Sequence, residues 1–174
     1  MIVAALKQLF ASDNHQQAAH SLYVALVNQS RSPWFYAEQK VPDTLDGRFD
    51  VIMLHLFLVM HRLGDAQPEL VRALSETFIA DMDRSLREMG VSDTGVGKRV
   101  KKMIQAYYGR MKAYSDTVDN REAFTQSLTR NLYRSEAPIP QAAALYAYMQ
   151  SNLLYLKEQS VESLSSGLVQ FKAP

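Results

Sequence analysis

The sequence predicts an all-α fold, a single compact domain of six to eight helices over residues 1–174. Apolar side chains recur at the three- and four-residue spacing of helices along most of the chain, and no stretch keeps the alternation typical of strands. Gly and Pro separate the periodic stretches, as they do at helix ends. With 47% apolar and 21% charged residues, a chain of this length can bury one hydrophobic core.

Helical periodicity places the first elements in order. Apolar residues predict a short helix over 2–10 and a second helix that begins at residue 12 or 13 and ends near residue 29. Pro33 begins an aromatic turn. A central helix over 44–63 follows, apolar on several sides, and Gly64 ends it.

The second half of the chain shows the same pattern. A helix is predicted from Pro68 to Met89, followed by a flexible glycine-containing loop over 91–97. Further helices are predicted over 96–114, 121–133 and 142–159. A ragged tail is expected to complete the chain.

Composition limits the classes of partner. The formal net charge is +1, so no overall field attracts nucleic acid, and DNA is not expected as a partner. Cysteine is absent, which excludes disulfides and thiol catalysis. The longest apolar run, 51–60, is shorter than the roughly 20 residues that a bilayer span needs. The first fifteen residues lack the features of a secretory signal, so we expect the protein to remain where it is made.

Polar residues crowd the start of the central helix. Asp43 and Thr44 are candidate caps, and Asp46, Gly47 and Arg48 form the first turn. A guanidinium at the edge of the core needs a carboxylate partner. We therefore expect Arg48 to pair with the acidic residues at 81 or 83.

Charges of both signs alternate near the end of the following helix. Asp83 and Arg87 have the spacing of an i,i+4 ion pair. The strip is either an ordinary solvated face or a docking surface for another chain. No histidine has the spacing that would complete a metal site. The charged residues of this strip are Asp81, Asp83, Arg84, Arg87 and Glu88.

The next helix is basic on one side and apolar on the other. No acidic residue lies between Asp93 and Asp116. Positive charge near a helix N-terminus opposes the helix dipole, which favours a use for it. Candidate ligands are RNA phosphates, anionic lipid headgroups or an acidic partner, and a solvated face is the alternative. The basic residues are Lys98, Arg99, Lys101, Lys102 and, later in the helix, Arg110.

No catalytic arrangement is visible. The sequence contains no GxSxG motif and no HExxH motif. We therefore expect no catalytic residue, no metal and no cofactor. A set of apolar residues could line a groove for a hydrophobic segment, although a role in the core is the favoured interpretation. The set is Met53, Phe57, Met60, Met103 and Tyr107.

Four segments together carry a family resemblance. VPDTLDGRFD, LHLFLVMHRL, DMDRSLREMGVSDTGVGKRVK and YYGR occur in this order. Across about 21–116 the chain resembles the ubiquinol–cytochrome c chaperone family, with further helices over 119–174. The resemblance implies an all-α, non-enzymatic assembly factor for the cytochrome bc1 complex that binds newly made cytochrome b. The ribosome and a small partner protein are the other partners that it implies.

The chain differs from mitochondrial members because it shows no long N-terminal extension. We therefore expect a compact bacterial form located in the cytoplasm, with peripheral contact to the inner membrane. An RNA- or ribosome-binding helical adaptor that holds no client is the alternative function.

Overall fold

The structure is a computed structural model that describes residues 2–90 and 92–174, with side chains for all of these except 2–13, 93 and 94. Seven α-helices and no strand occur in this described part, so the all-α prediction is confirmed. The helices are α1 (Ile2–Ser30), α2 (Leu45–Leu63), α3 (Pro68–Glu88), α4 (Asp93–Thr117), α5 (Arg121–Tyr133), α6 (Pro140–Glu158) and α7 (Val161–Ser165). A π-helical turn (Trp34–Glu38) precedes α2, and a 3-10 turn (Gly64–Ala66) follows it.

Helix α2 lies at the centre of the molecule. It packs against α1, α3, α4, α5 and α6, which explains why its sequence is apolar on several sides. Thr44 caps it, since its hydroxyl accepts a hydrogen bond from the Gly47 amide at 3.2 Å. Gly64, at φ 49°, ends it as predicted.

Two hydrophobic clusters share α2. The first joins α2 to α1, α3 and α4 and includes Leu22, Leu56 and Phe78. The second joins α2 to α4, α5 and α6 and includes Phe57 and Phe124. Each cluster uses a different side of α2, so this helix connects both halves of the core.

Two predicted breaks are wrong. The chain does not break near residue 12, because α1 runs unbroken from Ile2 to Ser30. The loop over 91–97 is also shorter than expected. Helix α4 already begins at Asp93, and the glycines at 95 and 97 are helical. Residue 91 and the side chains at 93 and 94 lie outside the described residues.

The C-terminal tail is ordered against the rest of the fold, which contradicts the expected ragged end. Gln170 follows α7. The side chain of Gln159, at the end of α6, donates to the Gln170 carbonyl at 2.8 Å and accepts from the Gln170 amide at 2.9 Å. The Phe171 ring then contacts His55 of α2, with centroids 5.2 Å apart.

Candidate functional site

A cleft of about 550 Å³ opens between the first turns of α2, the second half of α3 and the middle of α4. Its floor is apolar, since Phe49 and Met53 of α2 face Phe78 and Leu86 of α3. The Phe49 and Phe78 rings meet edge to face, with centroids 6.4 Å apart. Spacings of four residues in α2 and eight in α3 bring these side chains to one side of each helix.

Four cations line the walls of the cleft. Arg99, Lys102 and Arg110 all come from α4, and Arg134 follows the end of α5. Met103 lies beside Lys102 on the same helix and extends the apolar surface up to the charged wall. The cleft therefore places positive charge directly next to apolar side chains.

Asp50 organises two of these cations. Its carboxylate is 1% exposed and forms ion pairs with Arg110 at 2.9 Å and with Arg134 at 2.7 Å. Burial is the main influence on its acidity and raises the pKa of Asp50 to about 6, although both guanidinium groups act in the opposite direction. Asp50 thus holds α2, α4 and the end of α5 together at one side of the cleft.

The other two cations are free of such pairing. Arg99 and Lys102 are exposed, and neither forms an ion pair within residues 2–90 and 92–174. Arg110 also has an unused hydrogen-bond donor, because its buried Nε has no hydrogen-bond partner in the described structure. This wall can therefore bind an anionic group.

The structure divides the basic residues predicted on α4. Arg99, Lys102 and Arg110 line the cleft, whereas Lys98 and Lys101 are exposed and do not line it. Thr44 and Asp46 also line the cleft at the first turn of α2. Helical geometry explains the division, because residues 99, 102, 103, 106 and 110 lie on one side of the helix.

The predicted ion pair between Arg48 and Asp81 or Asp83 is wrong. Arg48 instead pairs with Asp43, with Nε and Oδ1 2.6 Å apart, and both side chains are more than half exposed. The Arg48 guanidinium also lies 5.7 Å from the centre of the Tyr36 ring. A carboxylate just before the same helix therefore satisfies this arginine locally.

The charged strip over residues 81–88 forms ion pairs within α3. Asp83 pairs with Arg87 at 2.6 Å, as its spacing predicts, and Arg84 pairs with Asp81. Asp81 also accepts a hydrogen bond from the Tyr23 hydroxyl of α1 at 2.8 Å. Burial and the neighbouring carboxylate raise the pKa of Tyr23. Glu88 is exposed at the end of the helix. Through Asp81, the strip thus also connects α3 to α1.

The apolar groove considered in the sequence analysis is present only in part. Met53 and Met103 line the cleft. Phe57 belongs to the second cluster, and Met60 accepts a hydrogen bond from the Tyr107 hydroxyl at 3.4 Å. The latter pair belongs to the core, which was the favoured interpretation.

Two residues of the site were missed at the sequence level. Asp50 stands in the DGRFD segment, where its carboxylate after an aromatic residue and before a ten-residue apolar run is a usable signal of a buried charge. Arg134 gave no comparable signal, since only the packing of α5 brings it to α2. No group of three or more His, Cys, Asp or Glu in the described chain is placed to bind a metal ion. None of the helices in that part has the length and apolarity needed to cross a membrane.

Comparison with known families settles the relationship. The profile of the ubiquinol-cytochrome C chaperone family matches residues 37–171. This chain belongs to that family. All residues that line the cleft lie within the matched range, and α1 lies entirely outside it.

Solved and curated relatives agree with the family match. The crystal structure of the Cbp3 homolog from Brucella abortus has a TM-score of 0.81 and 34% sequence identity, and the match covers 99% of this chain and 97% of that chain. Ubiquinol-cytochrome-c reductase complex assembly factor 1 of Xenopus laevis is 22% identical over 84% of this chain and 76% of its own length. The Mus musculus protein of the same name is also 22% identical, over 84% of this chain and 52% of its own length. The family resemblance inferred from the motifs is confirmed.

Proposed function

We propose that this protein is an assembly factor for the cytochrome bc1 complex that binds newly made cytochrome b and catalyses no reaction. The family match over residues 37–171 carries the proposal. The relatives from Xenopus laevis and Mus musculus are named as assembly factors of ubiquinol-cytochrome-c reductase, the same complex.

The cleft is the surface that we assign to the client. Cytochrome b is a membrane protein, so its unassembled segments expose apolar side chains that must be shielded from water. Phe49, Met53, Phe78 and Met103 offer an apolar floor of this kind. Methionine adapts its shape to different apolar surfaces, which suits a site that binds a client before it has folded.

The proposal includes further partners and a location. We expect the protein to act in the bacterial cytoplasm beside the inner membrane, where a nascent membrane protein emerges. A ribosome and a small partner protein are additional candidate partners.

Deletion of the gene tests the proposal. The assembled bc1 complex and its cytochrome b should fall several-fold, measured by haem difference spectra of membranes and by ubiquinol–cytochrome c reductase activity. Another respiratory complex, such as the terminal oxidase, is the internal control and should be unchanged. Normal bc1 spectra and activity in a complemented, clean deletion strain would refute the proposal.

Site-specific crosslinking tests the assigned surface. A photoreactive residue in place of Met103 should crosslink to cytochrome b during its synthesis. The same residue in place of the exposed Glu69, on the solvent side of α3, is the control and should not. Crosslinks from position 69 alone would show that the client binds another face of the protein.

An RNA- or ribosome-binding adaptor is the second candidate function. It is favoured by Lys98 and Lys101, which are exposed on α4 outside the cleft and form no ion pair in the described part of the chain. This function predicts salt-sensitive RNA binding together with no affinity for cytochrome b.

A further inference from the structure

We infer that the cleft selects apolar segments that carry an acidic side chain, and that Arg99 and Lys102 determine this selectivity. The inference rests on the proposed function and deepens it, because it names the chemical class of client segment that this cleft takes.

The first observation is the charge balance of the cleft. Among its described lining residues, four cations face two carboxylates, Asp46 and Asp50. Asp50 is already shared between Arg110 and Arg134. Arg99 and Lys102 have no comparable partner within the described chain. The positive charge that remains is therefore concentrated at these two positions.

The second observation is the unused donor of Arg110. Its side chain is 14% exposed, and its buried Nε has no hydrogen-bond partner in the part of the chain that the structure describes. A buried donor without an acceptor costs free energy, and a small movement of the Arg110 side chain would let an incoming carboxylate oxygen offset that cost. The same residue lines the cleft together with Arg99 and Lys102, so one helix supplies three cationic side chains to the cleft wall.

The third observation is how close the charge lies to the apolar floor. Lys102 and Met103 are consecutive on α4, and Arg99 precedes them by about one turn. An apolar segment without charge would cover Arg99 and Lys102 and remove water from them without a partner. A segment with a basic residue would be repelled. An acidic residue flanked by apolar residues satisfies both parts of the surface.

Synthetic peptides test this selectivity. Three peptides of about 15 leucine and alanine residues, long enough to form a helix, have blocked, uncharged ends. They differ only at the central residue, which is Glu, Gln or Lys. Binding to the full-length protein is measured by fluorescence anisotropy with a neutral dye. The Glu peptide should bind about tenfold more tightly than the Gln peptide, the Lys peptide should bind most weakly, and the differences should shrink at high salt.

Charge reversal assigns the preference to the two residues. In R99E/K102E the order should invert, so that the Lys peptide binds most tightly. R99Q/K102Q should lose most of the preference for the Glu peptide, and it provides a milder change if the reversed variant does not fold. The matched control is K98E/K101E, which makes the same change in net charge on the same helix outside the cleft and should keep the original order.

The outcomes separate this inference from the proposed function. Equal binding of the three peptides, or an absence of binding, overturns the inference. So does an inverted order in K98E/K101E, since the preference would then reflect overall charge. A bc1 defect in the deletion strain alongside equal peptide binding leaves the assembly function in place and removes the acidic selectivity. Normal bc1 levels in that strain remove the assembly function itself.

Discussion

Gly47 shows how a single residue fixes the first turn of α2. A Cβ atom at this position would lie 1.9 Å from the carbonyl oxygen of Pro42, far closer than atoms in folded proteins approach. The Gly47 amide also donates the hydrogen bond by which Thr44 caps the helix. Thr44, Asp46, Phe49 and Asp50 of this turn line the cleft, so the glycine helps to hold the site together.

Gly47→Ala should lower the free energy of unfolding by about 1–3 kcal/mol, because backbone must move to make room. Denaturant titration measures it. Gly109→Ala is the matched control. Gly109 lies inside α4, and a Cβ atom added there would meet no neighbouring element within 4 Å, so alanine should raise stability by about 0.5–1 kcal/mol. If both variants changed stability alike, the contact with Pro42 would not matter.

At the scale of elements, sequence periodicity predicted most of the fold. Helix α5 begins and ends at the predicted residues, and α2 and α3 differ from the prediction by a residue or so. The errors occurred where local signals misled. The glycines at 95 and 97 suggested a loop, but Val96 between them is buried and holds this segment in α4. Packing therefore outweighed the low helix propensity of glycine.

The cleft was predictable only in its parts. Thr44, Asp46, Arg99, Lys102 and Arg110 were identified as polar residues worth attention, yet nothing in the sequence indicated that they share one cleft. The predicted partner of Arg48 was wrong because the sequence does not show which of several carboxylates is nearest. Arg134 was missed because its role depends on where α5 ends relative to α2.

The basic residues in the first half of α4 provide a prediction for this element. If an anionic partner such as a ribosome binds Lys98, Arg99, Lys101 and Lys102, changing all four to Glu should abolish association without unfolding the domain. Co-sedimentation with ribosomes at low and high salt measures the association, and circular dichroism checks the fold. K157E/K172E, which reverses two exposed charges elsewhere, is the control. Unchanged co-sedimentation of the fourfold variant would exclude this patch as the contact.

At the scale of the whole molecule, the C-terminal tail meets α1 and α6 over the central helix. His55 of α2 is buried, and its ring contacts Tyr148 of α6 through a 2.8 Å hydrogen bond. Burial lowers the pKa of His55 to about 4, so it is neutral at physiological pH. The C-terminal tail covers this ring with Phe171, and Gln29 of α1 hydrogen-bonds to both Tyr148 and the Lys172 carbonyl.

This arrangement makes the tail part of the fold and gives the last prediction. Phe171 is partly buried and packs against both hydrophobic clusters. Phe171→Ala should therefore lower the free energy of unfolding by about 1–3 kcal/mol, less than the loss for a fully buried phenylalanine. Leu168→Ala is the matched control, because Leu168 is 65% exposed and its truncation should change stability by less than about 0.5 kcal/mol. Thermal and denaturant unfolding measure both variants. Equal, negligible effects would mean that the core closes without the tail, whereas the predicted difference means that α1, α2 and α6 depend on the last residues of the chain for their packing.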